Sequence, residues 1–171
     1  MKEKFQQYAE KLKDEVTDSG FRCDFIARFV VIWTLLTRIP LPRALWPETM
    51  PAGDRCLALA PLAGGLLGLL SGALVAAARL AGFNNCVSAW LGAAFYAMAG
   101  WALHLDGWGD LWDGVGSGRR GEELRAVMKD SRLGSYGAVG LILAFGLWTS
   151  LVGSLEGPRA VAALVTAGAC G

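Results

Sequence analysis

Apolar and polar residues fall in long blocks along this chain, and each apolar block predicts a helix. Residues 57–78, LALAPLAGGLLGLLSGALVAAA, hold no charge and are long enough to span a bilayer core, which takes about 20 apolar residues. Within that block Gly64, Gly68 and Gly72 recur every fourth residue, so they share one face and permit close helix contact. Residues 86–103, CVSAWLGAAFYAMAGWAL, predict a second span, and residues 137–155, GAVGLILAFGLWTSLVGSL, a third. Residues 25–39, FIARFVVIWTLLTRI, are short for a crossing, are interrupted by Arg28 and end before PLP, which predicts a re-entrant or interfacial helix. Pro40, Pro42, Pro47 and Pro51 then make an extended connection. The last run, residues 160–171, is too short to span and reads as the start of a helix whose remainder is missing, so a C-terminal truncation is expected.

Residues 1–20 predict a polar helix with a thin apolar stripe, Phe5, Tyr8, Leu12 and Val16, either solvated or lying on the membrane surface. The predicted organisation is a helical extension over 1–20 and a membrane domain over 21–171. The fold class is all-α: a polytopic integral membrane helical bundle with an amphipathic N-terminal helix and a re-entrant or interfacial helix.

Composition sharpens that picture. Hydrophobic residues make up 54% and charged residues 18%, more apolar than a soluble domain. A net charge of +1 argues against a nucleic-acid partner and leaves the lipid bilayer as the partner the pattern demands. Lys and Arg crowd into residues 1–55 and 119–132, while residues 56–105 hold only Arg79. The positive-inside rule then places both basic regions on the cytoplasmic face of the cell (inner) membrane. Cys23, Cys56, Cys86 and Cys170 form no CxxC pair and read as packing residues. Homo-oligomerisation is left open.

The chemistry is concentrated in GWALHLDGWGDLWDGVGSG, residues 100–118. Spacings of four and three put Asp106, Asp110 and Asp113 on one helix face, where three like charges repel. A divalent cation offsets that cost, and carboxylate oxygens suit Mg²⁺, Mn²⁺ or Ca²⁺. Gly107, Gly109, Gly114, Gly116 and Gly118 lower helix propensity and imply close approach, for which a phosphate is one candidate. Arg119, Arg120, Arg125, Lys129 and Arg132 follow, and basic groups beside such carboxylates suit phosphate-ester chemistry. Asp130, Gly134 and Gly137 repeat the spacing i, i+4, i+7, so a second helix is expected to bring one more acid to the first across a glycine face. His104 lies about 160° around the helix from Asp106, which favours packing or substrate contact over metal ligation.

HLDGWGDLWDG followed by VMKDSRLGSYG resembles the cobalamin synthase family, the adenosylcobinamide-GDP ribazoletransferases. LLTRIPLP and LAPLAGGLLGLL are similar to that family's N-terminal region, and the resemblance runs from about residue 28 to residue 145. It implies a Mg²⁺-dependent membrane transferase of vitamin B12 biosynthesis. Such an enzyme joins adenosylcobinamide-GDP, a corrinoid nucleotide, with α-ribazole or its 5′-phosphate and releases GMP. It further implies Asp106, Asp110, Asp113 and Asp130 as the catalytic and metal-holding set, with Arg119, Arg120, Lys129, Ser131, Arg132, His104 and Gly114 toward substrate and phosphate, and Asp130 as a candidate proton acceptor. Two alternatives stand beside it. A CDP-alcohol phosphotransferase-like lipid enzyme matches Asp110, Asp113 and Gly114, but its Ala-Arg pair and later aspartate pair are absent. A cation transport component explains the acids and the apolar helices, but not the basic loop.

Overall fold

The computed structural model describes residues 19–47, 51, 53–100, 102–130 and 132–170, and it holds no strand among them. Its helices are α1 (Ser19–Leu36), α2 (Gly53–Leu57), α3 (Ala60–Leu80), α4 (Asn85–Ala99), α5 (Leu103–Gly116), α6 (Glu122–Met128), α7 (Ser135–Ser154) and α8 (Gly157–Cys170), with a 3-10 turn at Arg43–Leu45. Arg55–Leu80 and Ser135–Ser154 are long and apolar enough to cross a membrane; α4 and α5 together make a third candidate, bent by 93°. At 20 residues, α7 rises about 30 Å, the thickness of a hydrocarbon core. The molecule is a helical membrane bundle, as the apolar blocks predict.

Three features position the site. First, α3 and α8 run antiparallel in backbone contact. A Cβ on Gly64 would strike the Gly168 carbonyl, one on Gly68 the Leu164 carbonyl, and one on Gly72 would come within 3.1 Å of Val161 Cα. The partner of the predicted glycine face is therefore the C-terminal run that is too short to span by itself. Second, the polar ends are tied. Arg79, at the end of α3, donates to the Leu155 and Val152 carbonyls at 2.8 and 3.0 Å, which neutralises the carbonyl-rich end of α7. Beneath this tie, Val75, Ala89, Val152, Ala160 and Leu164 form a buried cluster. Third, the end of α1 lies beside the far end of α4: Arg38 N–H donates to the Ala99 carbonyl at 2.7 Å. Ile32 and Trp33 pack there on Cys56 and Ala63.

Two expectations change. The predicted span over 86–103 is not one helix: α4 stops at Ala99, Ala102 takes a left-handed φ of 56°, and α5 turns away. The aspartate stripe is thus carried on a separate helix. Residues 25–36 of the predicted 25–39 segment belong to α1, which also includes Arg22 and Asp24 and ends at Leu36, and α1 is not among the helices apolar enough to cross. Its Arg28 pairs with Asp24 one turn earlier. The predicted extension over residues 1–20 lies outside the described residues except for Ser19 and Gly20, which open α1.

Candidate active site at the junction of α5 and α7

The glycines of α5 and the first half of α7 serve one interface. A Cβ on Gly116 would enter the Tyr136 ring, and one on Gly140 the Trp112 ring. A Cβ on Gly109 would meet Leu133 Cδ1 at 3.2 Å, and one on Gly137 would stand 2.9 Å from the Gly109 carbonyl. Trp108 Nε1 donates to the Gly140 carbonyl at 3.1 Å, and the Trp108 and Trp112 rings lie 6.1 Å apart. The expected close approach is made to α7 at Gly109 and Gly116 and to Leu124 and Met128 of α6 at Gly114, but not at Gly107 or Gly118, where a Cβ would meet nothing within 4 Å. The sequence reading did not single out Trp108, Trp112 or Tyr136. Their signal was an i, i+4 tryptophan pair facing glycines at matching spacing.

The carboxylates fare differently from one another. Asp113 accepts from Gly134 N–H at 2.7 Å and from Gly137 N–H at 2.8 Å, one donor on each oxygen. Asp106 is exposed and Asp110 half-buried, and their carboxylates have no hydrogen-bond or ion-pair partner among the described residues. Asp130 is not on the helix of Gly134 and Gly137. It lies in the turn after α6, while Gly134 is the extended N-cap of α7. The expected shared face of Asp130, Gly134 and Gly137 is thus corrected: the two glycines do meet α5, but they meet it at Asp113 without Asp130.

Asp130 instead pairs with Arg132, whose Nη2 lies 2.7 Å from Asp130 Oδ2. Hydrogen bonds from the Arg132 side chain and backbone lower the Asp130 pKa to about 2, and the same pairing raises that of Arg132. A carboxylate so acidic is a poor proton acceptor near neutral pH. Among the described residues no three His, Cys, Asp or Glu side chains gather closely enough to hold a metal ion, so the four expected ligands are not in one cluster. What remains is a pair of free carboxylates one helix turn apart. That donor set suits Mg²⁺, which commonly takes one or two protein carboxylates and completes its shell with water and phosphate oxygens.

The basic residues follow α5 in the chain. Arg119 and Arg120 line a cavity of about 280 Å³ with Leu111, Gly114, Leu124 and Met128. Gly114 lies one turn beyond Asp110 along α5; Asp106 and Asp110 themselves are not among the residues that line the cavity. Arg125 is drawn to Glu122 in an exposed pair at 2.8 Å, and Lys129 is exposed. Ser131 lies outside the described residues. His104, with Tyr96, Ala97 and Leu105, lines apolar cavities of about 220 and 170 Å³, apart from the aspartate stripe as its helical phase predicts.

Comparison with known proteins identifies the family. Residues 28–171 match the family model of cobalamin-5-phosphate synthase. An adenosylcobinamide-GDP ribazoletransferase of a Sinorhizobium species is 37% identical over 154 residues, which is 88% of this chain and 58% of the relative. Those of Rhizobium meliloti (strain 1021) and Bradyrhizobium diazoefficiens are 41% and 40% identical over 74% and 72% of the chain, and 47% and 49% of their own lengths. The chain thus spans about half the length of the curated relatives it matches. No solved structure matches. The matched residues include the whole aspartate and basic segment, α5 through α7, and on that ground the chain belongs to the cobalamin-5-phosphate synthase family.

Proposed function

We infer that this chain carries the phosphoryl-transfer site of a membrane transferase that joins adenosylcobinamide-GDP with α-ribazole or its 5′-phosphate and releases GMP. The observation that carries the reading is the pair of unpartnered carboxylates, Asp106 and Asp110, on the helix whose last turns, at Leu111, Gly114 and Val115, line a cavity with Arg119 and Arg120. The family match and the relatives' names supply the substrates. In the reaction a ribose hydroxyl that is free in both α-ribazole and its 5′-phosphate, hence not the 5′ one, attacks the phosphorus on the cobinamide arm. A phosphorus–oxygen bond forms, the bond to GMP breaks, and the hydroxyl proton passes to a carboxylate.

Asp106 and Asp110 would hold a divalent cation, normally Mg²⁺, which when bound neutralises phosphate oxygens and the departing GMP. Arg119, Arg120 and Lys129 bring positive charge to the phosphates, where fixed cations favour the charge that develops. Whichever of Asp106 and Asp110 is less committed to the cation accepts the proton, in place of Asp130. The basic content of residues 1–55 and 119–132 supports a cytoplasmic position for this site at the inner membrane by the positive-inside rule. Neither the lipid-enzyme reading nor the transport reading gains an observation.

The test is to incubate membranes holding the chain with Mg²⁺, adenosylcobinamide-GDP and α-ribazole. GMP and a cobalamin product, formed together and in equal amounts, are expected. GMP without the cobalamin product, or neither, overturns the assignment.

A further inference from the structure

The N-terminus of α7 has no cap of its own. Its N-cap residue is Gly134, at φ −85° and ψ 176°, with no side chain to accept a hydrogen bond. Helix starts often satisfy the N–H groups of the N-cap and of the third helical residue with two reciprocal side-chain bonds. Here those two donors, Gly134 and Gly137, go to a single carboxylate, Asp113, which arrives from a different helix. Negative charge is favoured at a helix N-terminus, so the contact orders the first turn of α7. A Cβ at either glycine would collide with the carboxylate.

The chain entering α7 is drawn onto α5 as a consequence. Leu133 packs over Gly109, the residue next to Asp110. Lys129 and Arg132 are exposed just before it. We propose that Asp113 is a positioning residue: an interhelical cap that holds the segment entering α7 on α5, with Leu133 against Gly109, and so fixes where Lys129 and Arg132 stand relative to the Asp106–Asp110 pair, and not a third metal ligand. What the seated residues contact rests on the phosphoryl-transfer reading above; the cap itself does not.

Spin labels at Val115 on α5 and Val139 on α7, both exposed, report the seating in the whole chain once its native cysteines are replaced by alanine. Mn²⁺ titration followed by electron paramagnetic resonance reports the metal pair, and added pyrophosphate reports the basic residues. Asp113→Asn keeps one acceptor oxygen. It is expected to broaden the interspin distance distribution, weaken pyrophosphate about tenfold, and change Mn²⁺ affinity less than about threefold. Gly137→Ala leaves every charge in place but displaces the carboxylate, and should reproduce all three results. Asp110→Asn should do the reverse: distances unchanged and Mn²⁺ weakened more than about tenfold. The proposal fails if Asp113→Asn loses Mn²⁺ as Asp110→Asn does while the distances hold, or if it moves neither the distances nor pyrophosphate binding. If the unsubstituted chain takes up no Mn²⁺, the metal reading falls, and the distance comparison still decides the cap.

Discussion

The chain makes two glycine-lined helix contacts, and they are put to different uses. Between α3 and α8 the glycines let backbone meet backbone: Gly64 faces Gly168, and Gly68 faces the Leu164 carbonyl. Nothing charged enters that seam, and its attraction is van der Waals contact of the kind that small residues permit in membranes. Between α5 and α7 the space freed by glycine is filled by side chains, namely the Asp113 carboxylate and the Trp112 and Tyr136 rings. The first contact holds helices together. The second uses the same small residues to admit a charge and two aromatic rings at one end of the bundle, where the free carboxylates also lie.

Substitutions can break this contrast. The largest effect is expected in the backbone seam. Gly68→Leu has no side chain to push aside, only the backbone of α8, and should remove most folded protein from membranes, since overpacking costs at least about 1–3 kcal/mol. Its readout is the detergent-extractable folded fraction. Gly134→Leu drives into the Asp113 carboxylate and should lower turnover about a hundredfold with insertion intact, because misplacement by about 1 Å can cost that much. Gly146→Leu enters open space and should behave as the parent at matched membrane levels. Equal turnover of the Gly134 and Gly146 variants would show that the close approach of Gly134 to Asp113 is not what turnover needs.

Smaller effects sharpen it. Trp108→Phe loses only the bond to the Gly140 carbonyl and should cost about 1 kcal/mol in denaturant unfolding. Asp130→Asn should do least. The folded pKa is lowered to about 2, so any stabilisation from the ion pair is present above the unfolded carboxylate pKa and is lost only as pH falls through the folded value. The pair is exposed, so even that contribution is small. The pH–rate profile of Asp130→Asn between about pH 5 and pH 9 should overlay that of the parent; loss of its acidic limb would restore Asp130 as the proton acceptor.

Periodicity made the framework legible. The uncharged blocks gave α3 and α7, and the four-residue repeat of Gly64, Gly68 and Gly72 announced a close partner, because both depend on local pattern alone. Which helix would fill that face depends on chain reversal, which no pattern within α3 encodes. The break at Ala102 was hidden because WAL continues the apolar run, while the left-handed turn is a backbone state with no side-chain signature there. Within the site, helical phase separated His104 from the aspartates, and glycine spacing correctly brought Gly134 and Gly137 to α5. Treating Asp130 as helical was the misstep: Asp130, Arg132 and Leu133 are not helical, and the pull of Arg132 two residues away takes the carboxylate elsewhere. That one aspartate of the stripe would be capped and two left free could not be read from identical residues at regular spacing.

The reading turns on those two free carboxylates, and the turnover of Asp110→Asn tests it most directly. Membranes containing equal amounts of parent and variant receive Mg²⁺, adenosylcobinamide-GDP and α-ribazole, and GMP is measured with the cobalamin product. If Asp106 and Asp110 are the reactive pair, the variant forms both products at least about a hundredfold more slowly, the scale of losing a principal charge-stabilising group. Near-parental turnover in Asp110→Asn, with Mg²⁺ as the only divalent ion, would contradict it.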